Sequence, residues 1–111
     1  MTNTEIKTQI IRAERKADKV QSRDLFLCIT NCQEVYMFIR NAIYNLQQKQ
    51  KKGIFDEVQA VQMFYNVVEA SLKNRMFNRL YTYNINMVDV PTRYYTAVQL
   101  LEYFREEIEE A

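Results

Sequence analysis

Along the first stretch of the chain, apolar side chains fall at Ile6, Ile10, Ala13, Ala17 and Val20. Steps of four, three, four and three keep them in one line on a helix, so the spacing predicts a helix over 4–21. Alanine fills two of the five positions, and so narrow a stripe buries little by itself. This helix is expected to pack as a lid, or on a partner. Ser22 follows as a candidate N-cap for the next element, with a single helix bending through 21–24 as the rival arrangement.

The strongest pattern comes next. Leu25, Cys28, Ile29, Cys32, Val35, Tyr36, Ile39, Ala42, Ile43 and Leu46 follow the i, i+3, i+4, i+7 rule and predict one helix over 23–52. At about 1.5 Å per residue it would be a rod about 45 Å long. Lys49, Lys51 and Lys52 sit where cations suit a helix C-terminus, and Gly53 can take the left-handed cap. Asp56 is the candidate N-cap of a third helix over 56–83, with its stripe at Val58, Val61, Tyr65, Val68, Leu72 and Met76. Residues 84–90 read as the one substantial loop. Pro91 opens a last helix over 91–109, burying Tyr94, Ala97, Val98, Leu101, Phe104 and Ile108.

These elements define an all-α fold class. The expected architecture is an antiparallel helical bundle of three to four helices with a long central hairpin, formed as a single domain over 1–111. No internal repeat interrupts it.

Composition sharpens the functional picture mainly by exclusion. The chain has one glycine, one proline and no histidine. Histidine-dependent dyads, histidine-ligated zinc or haem, and the Glu-x-x-His pairs of di-iron bundles are therefore ruled out, as are glycine-rich phosphate loops. Glu34 and Glu69 project from the polar sides of their helices, which leaves little for acid–base work. No enzyme activity, cofactor or metal is expected. Asn, Gln, Tyr and Phe are abundant, as in coding sequences from AT-rich microbial or phage genomes.

A net charge of +1 gives no whole-molecule field toward nucleic acid or anionic lipid. Basic residues do gather before Arg23, and Glu106, Glu107, Glu109 and Glu110 close the last helix. That polarity reads first as solvated helix ends, with docking between copies as the sharper alternative. No apolar run is long enough to cross a bilayer, and the first residues lack a secretory h-region. Cys28 and Cys32 sit on the main apolar stripe, where they read as reduced core thiols rather than a redox or metal pair. The expected location is cytoplasmic.

Two features rise above this background. Helices two and three carry further apolar positions away from their main stripes: Phe26, Met37 and Tyr44 on one, Met63, Phe77 and Tyr81 on the other. A helix apolar on several sides is central or covered by a partner, so these six residues are the candidate protein interface. The expected partner is another protein or a second copy, and coverage within the monomer is the alternative.

The second feature surrounds the loop. Arg75, Arg79 and Arg93 can converge there with Tyr81, Tyr83, Tyr94 and Tyr95. Guanidinium forks grip phosphate and rings stack on bases, which makes a candidate nucleotide or single-stranded nucleic-acid site. The plainer reading is helix capping by arginine and core packing by tyrosine, so nucleic acid is possible here without being favoured.

Overall fold

A computed structural model describes residues 2–16, 19–74 and 88–110. Among the described residues all regular structure is helical. The elements are α1 (Asn3–Lys16), α2 (Lys19–Asn31), a 3-10 turn (Gln33–Val35), α3 (Tyr36–Lys51), α4 (Glu57–Lys73) and α5 (Val90–Glu109). Val20 and Ala17 of the first stripe, and the whole of 75–87, lie outside the described side chains.

The rod over 23–52 does not form as one piece. Thr30, Asn31 and Cys32 are three consecutive residues of low helix propensity, and Thr30 Oγ1 bonds back to the Phe26 carbonyl at 2.9 Å. Cys32 then leaves the helix, with φ −90° and ψ 112°. A 3-10 turn follows, and α3 starts at Tyr36 in a new phase. Among the described residues five helices therefore stand where three to four with a long central hairpin were expected. Ser22 is not a cap: it lies fully buried inside α2, which runs through 21–24 without a break.

Capping chemistry sets the other ends. Gly53 takes φ +70°. Its N–H donates to the Gln50 carbonyl at 3.1 Å, and Ile54 N–H to Lys49 at 3.0 Å, which closes α3 in a Schellman motif. Asp56 Oδ1 accepts from Val58 N–H at 2.8 Å and Gln59 N–H at 3.3 Å, as its candidacy required. The helix it opens is shorter than the pattern suggests. α4 stops at Lys73, where Asn74 turns extended with ψ 126°. Asp89 caps α5 by accepting from Thr92 N–H at 2.7 Å, one residue ahead of the start that Pro91 alone implied.

α3 and α4 run antiparallel. Lys49 Nζ meets Gln59 Oε1 near the turn, and Phe38 lies across from Ala70 at the far end. α4 and α5 are likewise antiparallel, pinned by Arg105–Glu57 at 2.6 Å and Arg93–Glu69 at 2.7 Å. The centre of the molecule is α5, which packs against all four other helices. Thr92, Tyr94, Thr96, Ala97, Leu100, Leu101 and Ile108 are its buried positions. Sequence pattern placed the centre on helices two and three instead. On α4 the expected Val61 and Val68 are buried, but the buried arc extends to Ala60, Phe64, Val67 and Ser71, whereas Val58, Tyr65 and Leu72 pack at the edge of the core.

Candidate interaction surface on α3

α3 has two opposed faces. Ile39, Ala42, Ile43 and Leu46 point into the core. On the other side Met37 is 70% exposed, and Tyr36 and Tyr44 are each 60% exposed. Met37 and Tyr44 are seven residues apart, almost two full turns, so they lie nearly in line. Tyr36 belongs to this outer face rather than to the core stripe. The 3-10 turn re-phases the helix at this point, and extending one helical register through Cys32 puts Tyr36 on the wrong side.

Between Val35 and Gln48 the outer face carries one charge, and that charge is already engaged; the exposed Lys51 follows two turns beyond Tyr44. Arg40 Nη1 pairs with Glu107 Oε1 of α5 at 2.6 Å. The same guanidinium lies 5.9 Å from the centroid of the Tyr36 ring. Gln47 Nε2 donates to the Glu107 carbonyl at 3.2 Å, a second tie between α3 and the end of α5. Beside this face, α3 and α4 leave a shallow open groove of about 250 Å³. Its walls include Phe38, Asn41 and Asn45 from α3 with Met63, Asn66 and Ala70 from α4. A second hollow of about 380 Å³ sits at the α2–α3 break beside Cys32 and Tyr36.

The six interface candidates are therefore split. Met37 and Tyr44 stand on the open face of α3. Met63 is half-buried in the neighbouring groove. Phe26 is on α2, half-buried, with its ring edge-on to Tyr103 at 5.4 Å. The break at Cys32 takes it off the line of Met37 and Tyr44, and α5 covers it within the monomer. Phe77 and Tyr81 lie outside the described residues.

The basic–aromatic candidates are also divided. Arg75, Arg79, Tyr81 and Tyr83 lie outside the described residues. Arg93 is held on two sides: Nη1 on Glu69 Oε1 at 2.7 Å, and Nε on the Val88 carbonyl at 3.1 Å. Tyr94 is fully buried and stacks on Tyr65, with centroids 4.1 Å apart. Its ring offers no face to a base, and Tyr95 is half-buried against the core. Burial raises the hydroxyl pKa of both Tyr65 and Tyr94; nearby Glu69 adds to the shift at Tyr65, and Tyr65 itself adds to the shift at Tyr94. Arg105, hydrogen-bonded to Glu57, holds its proton more tightly than a free guanidinium.

Cys28 is half-buried and Cys32 buried, and neither forms a disulfide among the described residues. Among the described residues no cluster of three cysteines or carboxylates is placed to hold a metal ion. Among the same residues no helix is long and apolar enough to cross a membrane. No protein-family model, curated protein or solved structure matches this chain.

Pattern reading found Met37 and Tyr44 because they interrupt a polar face. It missed Tyr36, Asn41 and Asn45. The signal for Tyr36 is the Thr30–Cys32 run of weak helix formers, which marks where the helical phase restarts.

Proposed function

We propose that this chain is a non-enzymatic helical interaction protein, an adaptor, regulator or stoichiometric inhibitor, acting through the outer face of α3. The observation that carries this reading is the exposure of Met37 and Tyr44 side by side on a stretch of α3, from Val35 to Gln48, whose one charge is internally paired. Solvated helix faces are charged, and apolar faces left open beside a groove are where partners dock. The scaffold in this reading is an antiparallel bundle whose α3–α4 hairpin presents the face, with Cys28 and Cys32 kept as thiols in the cytoplasm. Binding of nucleotides or single strands loses two of its contributors, because Arg93 is spent on Glu69 and Tyr94 is buried.

The test is affinity capture from a native host lysate, with nuclease, comparing wild type with Met37→Glu. The substituted carboxylate is harmless in solvent but costly in a dry contact. Loss of captured protein by the variant at an unchanged melting temperature supports the reading. Identical capture by both proteins removes α3 as the binding face, and capture abolished by nuclease alone promotes the nucleic-acid alternative.

A further inference from the structure

From the charge, pattern and area of the α3 face we infer that its occupant is a second copy of this chain, paired antiparallel about a two-fold axis near Asn41. This inference rests on the reading of α3 as a binding face and names what binds it.

The charge argument comes first. Between Val35 and Gln48 the only ionic side chain is Arg40, and Glu107 of the same chain neutralises it at 2.6 Å. Exposed positions elsewhere carry charge, as at Lys7, Arg12 and Arg15 on α1 or Glu102 and Glu106 on α5. A strongly charged partner would gain nothing from α3. An equally neutral face meets it without stripping water from an unpaired ion.

The side-chain pattern then favours self-pairing. Place an antiparallel copy with the two-fold axis between positions 40 and 41. Met37 of one copy then comes level with Tyr44 of the other, and the symmetry repeats that contact, setting a thioether against an aromatic ring twice. Asn41 approaches the second copy's Asn41 close to the axis, where each carboxamide can donate to the other's oxygen. A single polar pair inside an apolar helix contact is a known means of fixing register. Each Arg40 stays on its own Glu107, flanking the axis on the side opposite Asn41.

Area sets the strength. At the exposures of Tyr36, Met37 and Tyr44, the three side chains offer on the order of 400 Å² per copy, about half the ~800 Å² per partner of a standard interface. Asn41, Asn45 and Gln48 add polar rim. Such an interface supports a reversible, micromolar dimer rather than an obligate one.

Sedimentation velocity from about 1 to 100 µM should show mass rising from 13.4 kDa toward twice that value. Met37→Glu and, separately, Tyr44→Glu should each weaken the association at least tenfold at an unchanged melting temperature. Each acts by placing a carboxylate in the apolar contact between Met37 and Tyr44. Two exposed sites make the test robust to misfolding of either variant. Combining Met37→Cys with Tyr44→Cys should give, under mild oxidation, a disulfide joining 37 of one copy to 44 of the other by peptide mapping. Within one chain those positions are about 10.5 Å apart along the helix, beyond disulfide reach.

A bridge from 37 to 37 would overturn the antiparallel register. A monomer throughout the range would overturn self-pairing. If that monomer still captures a protein partner lost in Met37→Glu, the α3 face stands as a binding surface and only its occupant is wrong. A dimer indifferent to both variants would show that copies meet elsewhere, again against the inference.

Discussion

Ile39 and Met37 stand two residues apart on α3 and meet opposite surroundings, the first 3% exposed and the second 70%. Ile39→Ala should cost about 2–5 kcal/mol, through lost burial and the cavity left behind. Met37→Ala should stay within about 0.5 kcal/mol in the monomer, as a surface change. Urea midpoints at low protein concentration check both, and equal shifts would reject the orientation of α3. A second residue-scale expectation comes from the stacked Tyr65–Tyr94 pair. Burial raises both hydroxyl pKa values above the ordinary 10.0. The unfolded chain therefore releases these protons first as pH rises. The stabilisation is complete below about pH 10 and is lost as pH climbs through the folded values. Stability should fall on the alkaline side, and Tyr65→Phe should flatten that fall. Titration of every tyrosine in a single step with free tyrosine would contradict it.

The break at Cys32 is the element-scale feature with the widest consequences. It ends α2, re-phases α3 and turns Tyr36 outward. Its backbone makes a sharp expectation. Cys32 is extended, as a residue before proline prefers to be, and Gln33 opens the 3-10 turn, where an N–H has no partner within the turn. Gln33→Pro should therefore be tolerated to within about 1 kcal/mol. In one continuous helix over 23–52 the same change would cost about 3 kcal/mol or more. Thermal melts of the variant distinguish the two. This is also where legibility of the sequence ended. Helix type, the Asp56 cap and the Gly53 cap follow from local chemistry, and the structure has all three. Periodicity alone cannot see the break, because Leu25 through Ile29 and Val35 through Leu46 are each in phase, and only propensity at Thr30–Cys32 separates them. The candidate site suffered for the same reason: Met37 and Tyr44 were visible as apolar residues on a polar face, whereas Tyr36 depended on the phase after the break.

At the scale of the whole molecule, α5 packs against every other helix, and α1 lies along it while burying few of its own described side chains. α1 buries only Ile6 and Ala13 fully, with Ile10 partly covered, and it leaves Ile11 48% exposed. α5 buries seven side chains, including the fully enclosed Tyr94, Leu100 and Ile108. Sequence pattern missed this hierarchy because α5 mixes Thr92 and Thr96 into its buried face, which dilutes the apolar stripe that marks a central helix. Local opening free energy follows buried apolar contact, so the two helices should separate in native-state hydrogen exchange. Amides of α1 around Ile10 and Ala13 should exchange through a local opening that denaturant barely accelerates. Amides of α5 around Leu100 and Leu101 should exchange only with global unfolding, and so with the full denaturant dependence. Leu100→Ala, a cavity at the hub, should lower α5 protection by the global loss of about 2–5 kcal/mol and leave the local opening of α1 nearly unchanged, because the cavity is present in both the closed and the α1-open state. Ile6→Ala should lower protection in α1 and α5 alike, because it raises the native state relative both to the α1-open state and to the unfolded chain. The arrangement is wrong if α1 and α5 amides share one exchange free energy in the wild type, or if Leu100→Ala loosens α1 as much as α5.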